Sequence, residues 1–220
     1  MKLRPLLQMG GDNTYTGTTT VESGTVQLDG TTTGQGEFLV QPGSFTTVAP
    51  KLTGTGTIGL APIRGLTIRG GIGFSKFYSA TVNPGDIDTI SATLRIGTYP
   101  TNKVTFGDSS VLAIDINADA TDKLAITGDL DLSSTSDKLL INTTGDQTLG
   151  RYVFATYTGS LASQFATVTY NGGNLPGNLF IDYLTDHEVA LAMIPEPVGM
   201  SVLLGSAFAG LLRRRRTRQA

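Results

Sequence analysis

Strands too short to bury a face alone, recurring about every ten residues, constrain this chain more than any other feature. In residues 11–50 the runs TTTV (18–21), TVQL (25–28), EFLV (37–40) and FTTV (45–48) alternate or are β-branched. Turn residues separate them: Ser23-Gly24, Asp29-Gly30, Gly34 and Gly36, then Pro42-Gly43. No window of about a dozen residues before residue 195 has a helical apolar period. The connections are also too short for helical crossovers. Strands of this kind need neighbours. A parallel β-helix, its coils stacked about 4.8 Å apart, or an antiparallel sandwich supplies them. Composition points to the first, since threonine and asparagine tolerate ladder stacking and 28 glycines allow tight corners. The expected fold is all-β: a parallel β-helix or solenoid-like stack of short strands with a β-rich capping region, then a single C-terminal apolar helix. For the second half a sandwich stays open.

That second half alternates cleanly. In VLAIDIN, Leu112, Ile114 and Ile116 point one way, and Ala113, Asp115 and Asn117 the other. In GDLDL, Leu130 and Leu132 are inward, with Asp129 and Asp131 on the wet face. DKLAIT (122–127) and DKLLIN (137–142) form a partial repeat offset by fifteen residues. The aromatic runs YVFATY (152–157), FATVTY (165–170) and NLFIDYL (178–184) are expected to cap the stack, and HEVALAMI (187–194) to be its last strand.

The tail is different in kind. Residues 198–212, VGMSVLLGSAFAGLL, carry no charge and are apolar all round. As a helix they span about 22 Å, short of a hydrocarbon core of about 30 Å. Arg213, Arg214, Arg215 and Arg216 follow, and long arginine side chains snorkel to headgroups and extend such a reach. A membrane-inserted helix at 198–212 is expected, with the arginines cytoplasmic and everything before it outside. Five of the 16 basic side chains lie in the last eight residues, and all 18 acidic ones precede them. A nucleic-acid binder would spread basic groups over a folded face, so nucleic acid is not an expected partner.

Before the helix stands Ile194-Pro195-Glu196-Pro197, where two prolines hold the chain extended. Pro195-Glu196-Pro197, a short apolar helix and the arginine cluster of 213–218 together resemble the PEP-CTERM protein-sorting signal of Gram-negative bacteria. All three parts appear in that order. The resemblance implies an exosortase as processing partner, a precursor held in the cytoplasmic membrane, and delivery to the cell surface or extracellular matrix. An exported protein needs a leader. Here Lys2 and Arg4 precede only Leu6-Leu7, far short of an apolar stretch of about 7–15 residues, so the true start is expected upstream.

A second resemblance lies near the other end. Asn13-Thr14-Tyr15-Thr16-Gly17, Thr18-Thr19-Thr20-Val21 and Gly24-Thr25-Val26-Gln27-Leu28 are similar to the autotransporter-associated β-strand repeat. Leu52-Thr53-Gly54-Thr55-Gly56-Thr57-Ile58-Gly59 resembles the element that follows it, and Thr81-Val82-Asn83-Pro84-Gly85-Asp86 the next turn. Residues 60–77 depart from the pattern. The chain is therefore divided into 1–60, a repeat region; 61–193, its continuation and cap; and 194–220, the sorting signal.

Chemistry has few candidates. The chain lacks cysteine and has one histidine, His187, with no Gly-x-Ser-x-Gly elbow to serve it. Asp115-Ile116-Asn117-Ala118-Asp119 starts like a calcium loop, but Ala120 stands where glycine is needed and Ile126 where glutamate is, so a polar turn is expected. Asp86/Asp88 and Asp129/Asp131 are spaced like acid–base pairs, without a nearby lysine or arginine in sequence, and read as solvated positions. Gly70-Gly71-Ile72-Gly73 lacks the Lys-Ser/Thr of a phosphate loop. No cofactor, metal or catalytic residue is expected. The expected function is a noncatalytic exported β-solenoid, structural or adhesive, meeting extracellular polysaccharide. The alternatives are a fragment of a carbohydrate-active β-helix enzyme or of an autotransporter passenger adhesin.

Overall fold

A computed structural model describes residues 6–194, apart from 45, 63, 73–76, 86–90 and 148. Three strands make each coil. The first coil is β1 (Leu6–Met9), β2 (Asp12–Asn13) and β3 (Thr19–Val21); the second is β4 (Thr25–Leu28), β5 (Thr31–Gln35) and β6 (Phe38–Val40). The third is β7 (Lys51–Gly54), β8 (Thr57–Leu60) and β9 (Gly65–Ile68), followed by a hairpin of β10 (Gly71–Ile72) and β11 (Phe77–Tyr78). The fourth is β12 (Ala80–Pro84), β13 (Thr93–Ile96) and β14 (Lys103–Phe106); the fifth is β15 (Ser110–Ile116), β16 (Lys123–Ile126) and β17 (Asp129–Asp131). The sixth is β18 (Lys138–Thr143), β19 (Arg151–Tyr157) and β20 (Leu161–Ala162). β21 (Thr167–Tyr170), β22 (Leu179–Asp182) and β23 (Glu188–Met193) are the last of the described strands. Six rungs of this kind make about five turns of a β-solenoid.

Sheet A stacks β1-β4-β7-β12-β15-β18-β21, sheet B stacks β2-β5-β8-β13-β16-β19, and sheet C stacks β3-β6-β9-β14-β17-β20. Every neighbouring pair in these runs is parallel, so the second half is solenoid, and the sandwich is set aside. Register places like on like. Val26, Leu52, Val82, Leu112, Leu139 and Val168 form one column in sheet A. Thr32, Ile58, Ile96, Ile126 and Tyr157 form one in sheet B, and Phe38, Leu66, Val104, Leu130 and Leu161 one in sheet C. These columns converge on a single apolar core. Leu112, Ile114, Ile116, Leu130 and Leu132 are buried, as alternation requires.

The far end is finished differently. β23 pairs antiparallel with β19, and β22 pairs antiparallel with β23, extending sheet B past its parallel part. Arg151 on β19 ties both down, at 3.2 Å from Asp182 and 2.6 Å from Glu188. This antiparallel pairing ends the parallel run of sheet B and covers the edge of β19.

Several sequence expectations need correction. Residues 46–48 of FTTV are loop: the Thr46 hydroxyl donates to the Glu22 carbonyl at 2.7 Å, tying this segment to the coil before it. Gly34, expected to mark a turn, lies within β5 (Thr31–Gln35), and its φ of +67° accommodates a shift of register there. His187 lies in the turn before β23 with φ +63°, not within the last strand. DKLAIT and DKLLIN do not repeat a coil, since β16 lies in sheet B and β18 in sheet A. A coil takes about 26–30 residues, as the sheet A column shows. The described residues contain no helix; the apolar helix expected at 198–212 lies outside them.

One buried corner carries unusual weight. Asn102 is buried, and its side-chain amide donates to the carbonyls of Ala61 (2.8 Å) and Arg64 (2.9 Å). Its side-chain oxygen accepts from the backbone amides of Thr98 and Tyr99. All four bonding positions of the amide are filled, joining the third coil to the fourth. Gly128 packs beneath it at φ +126°; a Cβ there would come within 2.0 Å of the Asn102 carbonyl oxygen.

Asn102→Ala is expected to lower unfolding stability by about 3 kcal/mol or more, because four buried backbone groups lose their partner. Leu112→Ala should cost about 2–5 kcal/mol by opening a cavity in the column. Thr156→Ala on the outer face of β19 should stay within about 0.5 kcal/mol. Urea unfolding followed by circular dichroism distinguishes the three.

Candidate functional site

The outer faces carry the polar side chains, and most of their acids are already engaged. Asp115 sits between two asparagines on sheet A: Asn83 of the coil below donates to it at 3.3 Å, and Asn142 of the coil above at 2.9 Å. The adjoining turn is closed by Asn117, whose side-chain oxygen accepts the amides of Asp119 (3.0 Å) and Ala120 (2.7 Å). The calcium-like spacing is thus a hydrogen-bonded turn, with its oxygens spent on its own backbone and on neighbouring coils. Among the described residues no three His, Asp or Glu side chains lie together as a metal would require.

The two aspartates of β17 part company. Asp129 accepts from both the amide (2.7 Å) and the hydroxyl (2.9 Å) of Ser160, and these bonds hold its carboxyl below the usual range. Asp131 is on the outward face but is not wet. It is buried, with Lys103 at 2.7 Å. Burial pushes its carboxyl up, and the Lys103 and Ser133 bonds outweigh that to leave it lowered. The sequence offered no basic neighbour; parallel stacking brings Lys103 from the preceding coil. His187 is exposed, its ring 5.6 Å from that of Tyr157. Asp86 and Asp88, Pro195, Glu196 and Pro197, and Arg213, Arg214, Arg215 and Arg216 all lie outside the described residues.

Sequence reasoning missed two carboxylates that the coils enclose. Asp122 and Asp137 are buried. One oxygen of Asp122 accepts the amides of Ser91 and Ala92 from the preceding coil, and one of Asp137 accepts the Ala166 amide at 2.7 Å. The second oxygen of each has no hydrogen-bond partner. Burial, reinforced by the charge of Asp115 beside one and Asp131 beside the other, pushes each carboxyl up to about 6. The only signal in the sequence was the shared Asp-Lys at the head of two strands.

The described residues also form an open groove of about 630 Å³ at the corner that follows sheet C. Gln41, Arg69, Asp108 and Ser134 stand at this corner in the second to fifth coils, one coil each. Thr67 and Thr105, paired in register on β9 and β14, form its floor. Arg69 Nε donates to the Gln41 side-chain oxygen at 2.6 Å, and Ser134 Oγ donates to Asp108 at 2.9 Å. The exposed Phe77 lies next to Gly70, one of the lining residues; a Cβ on that glycine would come within 2.9 Å of its ring. Among the described residues Arg69 has no ion pair.

A carboxyl raised on folding binds protons that the unfolded chain has released, so its contribution is greatest below about pH 4 and is lost as pH rises through about 6. The thermal midpoint is expected to fall between pH 4.5 and pH 7.5. Asp122→Asn and Asp137→Asn should each flatten that fall, as read by scanning calorimetry across the range.

A scan of known protein families finds no match to this chain, and a search of the curated proteins finds no relative.

Proposed function

We propose that this chain is a noncatalytic, exported β-solenoid that serves a structural or adhesive role at the cell surface or in the extracellular matrix. Its C-terminal residues act as a PEP-CTERM signal: an exosortase recognises Pro195-Glu196-Pro197, while residues 198–212 hold the precursor in the cytoplasmic membrane and Arg213–Arg216 stay inside. Cleavage before Pro195 leaves eleven basic and seventeen acidic side chains in residues 1–194, a net charge of −6. The mature domain is then acidic, glycine- and threonine-rich.

The observation that carries this reading is where the acidic groups go. Asp115, Asp129 and Asp131, the described members of the candidate constellations, are each engaged by a neighbouring coil. Such bonds stabilise stacking, and the raised carboxyls next to them, Asp122 beside Asp115 and Asp137 beside Asp131, are buried out of reach of a glycosidic oxygen. The outer faces carry a mixed set of side chains in which threonine recurs, as Thr25, Thr81 and Thr167 on sheet A and Thr67 beside Thr105 on sheet C, suited to contact with polymers or neighbouring chains. The sorting tail follows directly on β23, the last of the described strands.

Replacing Pro195-Glu196-Pro197 by three alanines in a bacterium that carries an exosortase is expected to leave an unprocessed, membrane-retained precursor. Cell fractionation and the mass of the released protein read this out. Normal processing and release of the variant would overturn the sorting half of the proposal.

A further inference from the structure

We infer that the groove at the corner of sheet C binds a neutral polysaccharide. The inference rests on reading the chain as a solenoid that meets glycans, and it adds where the contact is made and with which chemical class.

The groove is lined by both charged signs and by hydroxyls. Arg69 lends its planar donor fork, fixed on one side by Gln41. Asp108 accepts one hydrogen bond from Ser134 and offers its second oxygen as a further acceptor. Thr67 and Thr105 provide hydroxyls between them. An apolar ligand would strand these groups without partners. A polyanion would meet Asp108 at short range and an acidic domain at long range. A chain of uncharged hydroxyls, each both donor and acceptor, answers every one of these groups.

Phe77 supplies the remaining element. The residue is 54% exposed and lies next to Gly70, which lines the groove. A pyranose ring has an apolar C–H face that packs on such an aromatic surface. Periodicity favours a polymer over a single sugar. Successive coils lie about 4.8 Å apart, close to the length of one sugar residue, so the polar groups of this corner, Gln41 and Arg69 in one file and Asp108 and Ser134 in the next, recur at a spacing suited to a repeating chain.

The test is affinity electrophoresis of the full-length protein through gels containing a β-glucan, a mannan, a galactan or, as the acidic comparison, polygalacturonate. At least one neutral polymer is expected to retard the protein. Arg69→Ala and Phe77→Ala should each weaken that retardation about tenfold, the loss of one charge-assisted bond or one ring contact. Arg95→Ala, which removes an exposed arginine on sheet B, should leave it unchanged. Thermal melting of each variant verifies its fold, and Arg69→Gln and Phe77→Leu replace any variant that melts early. Three results would overturn the inference: no neutral polymer retards the protein, polygalacturonate retards it more strongly, or retardation survives both groove substitutions. Processing of the C-terminal signal is scored separately in cells. A glycan-binding protein that fails to be sorted, or a sorted protein that binds none, therefore shows which reading has failed.

Discussion

In-register stacking of like side chains is the interaction on which everything else here depends. A strand of three or four residues has too few contacts to persist alone, so each coil is held by the coils on either side. The column Val26, Leu52, Val82, Leu112, Leu139 and Val168 shows how strict the requirement is. A slip of one residue in any coil would turn its apolar set outward and its polar set into the core. The loops are free to vary in length between columns, which is why coils of about 26–30 residues coexist with strict register in the strands.

Corners are where that regularity becomes difficult. The chain must turn three times per coil, and each turn leaves amides and carbonyls that the next coil partly covers. Asn102 meets this with four hydrogen bonds, while Asp122 and Asp137 meet it with one oxygen each and leave the other unpartnered. The two solutions differ in their response to pH. A neutral amide is indifferent, whereas a buried carboxylate is stabilising for its neighbours and costly to itself once ionised. The acidic character of the domain is thus partly interior.

Much of the architecture was legible. Alternation in VLAIDIN and GDLDL named the inward leucines and isoleucines, because burial on one face leaves a period of two whatever the partner strand. Strands interrupted by glycine were harder. Residues 31–35 carry Gly34, expected to mark a turn, yet they form β5, since pairing with the neighbouring coil outweighs the local preference. FTTV has the composition of a strand, yet its described residues 46–48 lie in a loop, where the Thr46 hydroxyl is bonded to the Glu22 carbonyl. The candidate site was less visible. Gln41, Arg69, Asp108 and Ser134 are scattered over more than ninety positions and share no motif. Only coiling aligns them.

By itself the sequence determined the class of fold and the inward face of the clearest strands, because these follow from local period and turn chemistry. Only the tertiary structure decided which distant residues meet. Lys103 lies on Asp131, Asn83 and Asn142 on Asp115, and Ser160 on Asp129, each about one coil apart. Contacts at that separation depend on the length of every intervening corner, and no local pattern encodes the sum. The number of residues that close each turn therefore sets the chemistry of the surface as surely as the residues that form it.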